Sequence, residues 1–228
     1  MFLIIFFFIS QISFAQSPFK AGIFSGITTT QIDGDGYSGF DKAGITFGGF
    51  VNNKFGSEKW SAQMEMLFVD KGSRQQPNIE RGIRYKEIKL SYVEVPVIAK
   101  VQHKKLFYEA GLSYGILVRH SEYDESGELN NPTVFKKNEY AYNLGLSYFF
   151  TEKLSFNARF VRSILPVRDY SVFTRFGFFT VSGVGIFGGS YNTDLSYTLR
   201  YQFGTGEKQE KKEDEKEKNI INDILKIE

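Results

Sequence analysis

Apolar and polar residues alternate without interruption over residues 191–203. Tyr191, Thr193, Leu195, Tyr197, Leu199, Tyr201 and Phe203 fall on one side of an extended chain, and Asn192, Asp194, Ser196, Thr198, Arg200 and Gln202 on the other. A period of two predicts a β-strand whose faces meet different surroundings. An antiparallel sheet in water could produce it by turning the apolar side to a core. The ends of the apolar face carry aromatics, Tyr191 at one and Tyr201 with Phe203 at the other, with leucines between. That order predicts a strand that crosses a bilayer between two aromatic girdles, apolar face outward.

The same period recurs upstream. It predicts strands over 19–29, 43–51, 60–69, 86–101, 106–119, 140–150 and 154–164. The connections alternate long and short: long at 30–41, 72–82, 120–138 and 169–190, short at 52–59, 102–105 and 151–153. The expected fold is therefore all-β, an eight-stranded antiparallel up-and-down transmembrane β-barrel, with long loops outside the cell and both termini in the periplasm. In the strand over 86–101, Pro96 cannot donate to a ladder, so a bulge or a missing bond is expected beside it.

Residues 1–15, MFLIIFFFISQISFA, hold an apolar run too short to span a bilayer and end in Ser13-Phe14-Ala15, a small-x-small cleavage pattern; they are expected to be a signal peptide. The barrel is assigned to 16–204. Beyond it, 205–228 is expected to be a charged periplasmic tail, mostly disordered because 207–218 is almost wholly Glu and Lys, with a possible short helix over 219–227.

Composition adds exclusions. The 24 Phe and 13 Tyr suit strands, while a net charge of only +2 with no basic stripe argues against a nucleic-acid partner. The absence of cysteine removes disulfides, thiolate chemistry and Cys-based metal sites. The DGDG segment at 33–36 lacks the spaced ligands and distal Glu of a calcium loop and reads as a turn. No metal or cofactor site is predicted.

Two adjacent strands carry a resemblance. Tyr92-x-Glu94-x-Pro96, followed by apolar residues and Lys100, comes after a strand ending in EMLFVDKG, residues 65–72. In these segments the sequence resembles the PorT-like outer-membrane β-barrel proteins of Bacteroidota-type Gram-negative bacteria. The resemblance implies an eight-stranded barrel and, for the founding member, a role in secretion of cell-surface proteins. A fold alone does not transfer that role.

The positions expected to face the lumen include Lys20, Glu65, Glu94, Lys100, Glu109, Arg119, Arg159 and Arg200. In a small barrel such side chains fill the interior, so Glu65, Glu94, Lys100, Glu109, Arg159 and Arg200 are expected to pair in a network that leaves no open pore. The loop 169–190 combines Phe173, Phe176, Phe178, Phe179 and Phe187 with Arg175 and the neighbouring Arg168, and is a candidate partner surface or a plug over the barrel mouth. Arg162 and Arg168 are placed to meet anionic head groups.

The function expected is a non-enzymatic binding or accessory component of the outer membrane. Its partners would be membrane lipid, lipopolysaccharide and envelope or secretion-system proteins. One alternative is a soluble ligand-binding β-barrel whose apolar faces line a cavity. A second is an outer-membrane lipid hydrolase using His120 with Ser121, Glu122 or Asp124, a geometry that strand alternation opposes.

Overall fold

The computed structural model describes residues 19–34, 39–55, 59–77, 80, 84–130, 134–168 and 189–203. The expected signal peptide at 1–15, the tail at 205–228 and most of the loop 169–190 lie outside the described residues. The described strands are β1 (Lys20–Asp33), β2 (Lys42–Lys54), β3 (Trp60–Gln75), β4 (Lys86–His103), β5 (Leu106–Asp124), β6 (Gly127–Glu128), β7 (Asn138–Phe149), β8 (Leu154–Ser163) and β9 (Tyr191–Phe203).

Eight of them close a ring. Neighbours run β1, β2, β3, β4, β5, β7, β8, β9 and back to β1, every pair antiparallel; β6 only extends the far end of β5. Closure leaves no sheet edge among these eight, which is what a strand-built membrane span requires. The short connections gather at one end, hereafter the turn end, with the start of β1 and the end of β9. The long ones gather at the other, the loop end.

The apolar faces point outward. Ile23, Ile27, Phe47, Met64, Met66, Leu112, Leu144, Leu199 and their neighbours are exposed large hydrophobics, while the alternate positions on the same strands are buried and mostly polar. Water would not tolerate that belt, but lipid does. The soluble alternative, in which these faces would line a cavity, is overturned by their outward direction. Aromatics mark the belt near the turn end through Trp60, Tyr108, Tyr148, Phe150, Tyr201 and Phe203, and further up through the pairs Tyr114–Tyr140 and Phe47–Phe68.

Tyr191 departs from the expected girdle: it is only 6% exposed. The outward face of β9 turns polar there, because Thr193 donates to Asp33 (2.8 Å), and Asp33 also binds Gln31 and Arg162. Tyr191 therefore sits beyond the apolar belt. The same contacts use the Asp33 carboxylate within the wall.

Several strands run further than the sequence pattern indicates. β3 continues to Gln75 through the expected loop, and β4 and β5 reach 18 and 19 residues. Outside a bilayer both faces of a strand meet water, so the alternation that marks a strand fades although the ladder persists. At Pro96 the β3–β4 ladder lapses between Met64↔Val97 and Leu67↔Glu94, the missing bond expected of a residue with no N–H. The bulge proper lies elsewhere, on the β5 side at Ser91/Tyr92, where Val118 is the extra residue.

Candidate functional site

The lumen is layered from the turn end to the loop end. At its centre Glu65 of β3 faces Arg159 of β8, and each guanidinium nitrogen lies 2.8 Å from one carboxylate oxygen. β3 and β8 are four strands apart in either direction around the ring, so this pair crosses the full diameter. Arg200 adds a third contact to Glu65 at 2.7 Å, and Gln63 donates to the same carboxylate. Arg159 also reaches Glu109 at 2.7 Å, and Glu109 accepts from Lys100 (2.8 Å) and Ser147. The five charged residues are 4% exposed or less. Arg200 lies over the Phe24 ring, 4.4 Å from its centre, and donates to Asn157.

Glu94 belongs to a different layer. Its partner is Lys71 at 2.6 Å, and the same ammonium lies 3.2 Å from Asp194 and 3.3 Å from Glu139. Tyr92 supports the group, with Lys71 over its ring at 5.5 Å and Asn192 hydrogen-bonded to its hydroxyl. Ser163 donates to Glu139. Lys71 lies in the segment 65–72 of β3, and Tyr92 and Glu94 lie in β4, so the two neighbouring strands meet in this buried layer.

Above this layer an apolar cluster enters the lumen beside buried polar residues such as Thr30, Ser73 and Glu122. Ile32, Val69, Ile88, Leu90 and Tyr92 pack with Phe135 and Val167, two residues from the long connections. These connections are tied together by Lys136 N–H to Val167 O and Val167 N–H to Ser190 O, both 2.8 Å. Phe135 and Val167 are thereby buried at the loop end.

Arg119 was expected in the lumen but is exposed on the outer side. The extra residue at Val118 shifts the phase of β5, so Leu117 faces in, Arg119 out and His120 in again, opposite Leu90. His120 packs against Phe135, ring centres 6.0 Å apart, and no hydrogen bond joins it to Ser121 among the described residues. Lys20 is half-buried at the turn end. Phe173, Phe176, Phe178, Phe179 and Phe187 lie outside the described residues. Arg162 forms an ion pair with Asp33 at 2.8 Å, so its charge is partly met within the wall rather than wholly free for a head group.

Below the central layer the side chains no longer fill the barrel. A cavity of about 450 Å³ extends from Arg200, Lys100 and Gln63 to the turn-end mouth. Its inward positions are small or polar, such as Asn52, Ser61 and Ser155, with Phe50, Phe107 and Phe149 as an aromatic wall. Among the described residues, Lys20, Lys59, Lys104 and Lys105 stand around the mouth with a single acid, Glu152.

The family of outer membrane protein β-barrel domains matches residues 14–169. No curated protein matches in sequence. Among solved structures, the chain is similar to Ail, the attachment invasion locus protein of Yersinia pestis, crystallised with the heparin analogue sucrose octasulfate, at 14% identity and TM-score 0.46, covering 81% of this chain and 99% of that one. It is also similar to Neisserial surface protein A at 11% identity and TM-score 0.41, covering 81% and 97%. Ail in a phospholipid bilayer nanodisc gives 13% identity and TM-score 0.42, covering 82% and 100%.

Proposed function

Because the chain belongs to the family of outer membrane protein β-barrel domains, we propose that it is a non-conducting, non-enzymatic component of the outer membrane that works by binding partners at its loop end. The observation that carries this reading is the Arg159–Glu65 pair across the full diameter, backed by the Lys71 layer and the apolar cluster with Phe135 and Val167. A water-filled pore needs an open polar path, and three successive layers of packed side chains oppose one.

In this reading the loop end faces the outside and both termini face the periplasm, as the alternation of long and short connections favours. The tall β3–β4–β5 wall would then stand clear of the membrane, braced by Arg74–Glu87 at 2.7 Å and by Lys89 over the Tyr123 ring at 4.4 Å. Rigid extended strands crowned by loops suit recognition. The aromatic set Phe173, Phe176, Phe178, Phe179 and Phe187 belongs to this proposed partner surface on sequence grounds. Kinship with PorT-like proteins within the family, supported by Tyr92, Glu94, Pro96 and the segment 65–72, would make an envelope or secretion-system protein the partner, with lipopolysaccharide as surroundings.

The lack of native cysteine gives a clean test. Glu125→Cys at the loop end and Lys105→Cys at the turn end are labelled in intact cells with a membrane-impermeant maleimide. Labelling of the first alone, with the second reacting only after permeabilisation, supports the orientation; the reverse pattern overturns it. Cross-linking from Glu125→Cys in native membranes, with and without residues 176–179, then asks for a partner. A stable barrel that cross-links to no protein or lipopolysaccharide in either form contradicts the binding role.

A further inference from the structure

We infer that the turn-end vestibule is a binding site for a small amphipathic anion, one acidic group carried on an aromatic or short alkyl body. It lies at the opposite end of the barrel from the proposed partner surface and does not depend on that proposal.

An eight-stranded barrel is just wide enough for its own side chains to fill it. This chain does so at the centre and the loop end, then stops. Around the lower lumen it places Asn52, Ser61 and Ser155 where larger residues would close the space, and leaves about 450 Å³. That volume lies within the ordinary range of small-molecule sites, roughly 300 to 1,000 Å³.

The lining has two chemistries in separate places. Phe107 and Phe149, ring centres 4.8 Å apart, and Phe50 present aromatic surface to a space that water can enter. An apolar body displaces water from that surface favourably. Among the described residues, the mouth carries Lys20, Lys59, Lys104 and Lys105 against Glu152, an excess of positive charge even before the deeper cations are counted. The deeper cations, Lys100 and Arg200, are held by Glu109 and Glu65, so they give the floor a fixed hydrogen-bonding surface rather than a free charge. Gln63, Gln102 and Gln202 add amide groups that can orient an acidic head. Flexible lysines over an apolar wall select against cations and against neutral polar solutes. An inorganic anion would satisfy the lysines but leave the rings wet.

Phenyl phosphate tests the inference. The full-length mature protein, in phosphatidylcholine nanodiscs, is titrated with phenyl phosphate, inorganic phosphate and benzyl alcohol while side-chain amide resonances are followed by NMR. The expected result is saturable shifts at Gln63, Gln102 and Gln202, with phenyl phosphate at least tenfold tighter than either control. Lys59→Glu combined with Lys105→Glu should weaken it tenfold or more, as should Phe107→Ser, while heat-modifiable migration stays that of a folded barrel. Repetition in phosphatidylglycerol nanodiscs separates two sources of the same chemistry: lost binding there assigns the site to an anionic lipid head group, retained binding to a soluble anion. Equal affinity for the three compounds, shifts scattered away from the vestibule, or a folded Lys59→Glu/Lys105→Glu variant with unchanged affinity would overturn the inference.

Discussion

Arg159 and Glu65, 94 residues apart in sequence, meet through two parallel 2.8 Å contacts across the widest span of the barrel. Because each also binds a second charged partner, the four strands β3, β5, β8 and β9 are tied at one level. Arg159→Met removes both contacts to Glu65 and the one to Glu109 but leaves Arg200 and Lys100 beside those carboxylates, so it is expected to destabilise the barrel by about 1.5 to 3 kcal/mol, the usual worth of a hydrogen bond to a charged group. Urea unfolding from lipid bilayers measures it. A loss under 1 kcal/mol would mean that the pair is solvated.

Lys71 faces three carboxylates, Glu94, Glu139 and Asp194. Lys71→Met removes the only cation that pairs with these three carboxylates among the described residues and should cost at least as much as Arg159→Met. Urea midpoints of parent and variant at pH 8 measure it. Adding Glu94→Gln to Lys71→Met should recover part of the loss at pH 8; no recovery would place the damage in packing instead.

Trp60 is the only tryptophan, points outward and is 46% exposed at the turn-end edge of the apolar belt. Its fluorescence should be quenched most by phospholipids brominated near the head group and least by those brominated near the chain ends. The opposite order would place the girdle at the wrong depth.

Gly72 has φ of 134°, and a Cβ there would lie 2.0 Å from the Ile88 carbonyl oxygen. Gly72→Ala is expected to cost about 1 to 3 kcal/mol through backbone strain. The loss should be read in the same urea titration, with the Thr30 to Gly72 hydrogen bond, 2.8 Å in the parent, as the neighbouring contact at risk.

Within the bilayer the residue pattern was close to sufficient. The faces of β9, β7 and the lower β5 could be read directly, and with them the inward direction of Glu65, Glu94, Lys100, Glu109, Arg159 and Arg200, because lipid enforces strict alternation. Three kinds of information were hidden. Lys71 and Glu139 sit where the strands leave the belt, so nothing in the surrounding pattern marks them as inward. Arg119 was misplaced because a one-residue bulge inverts the phase of everything after it, and Val118 carries no sequence mark of being that residue. Which acid meets which base was likewise not readable, since pairs such as Arg159 and Glu65 depend on strands four places apart in the ring.

Conductance of the unmodified protein in planar bilayers tests the closed lumen most directly. The Arg159–Glu65 crossing, the Lys71 layer and the Phe135–Val167 cluster together predict no steady single-channel current, only the baseline of the lipid. Large, steady and reproducible channel steps from the folded, unmodified barrel would contradict the account.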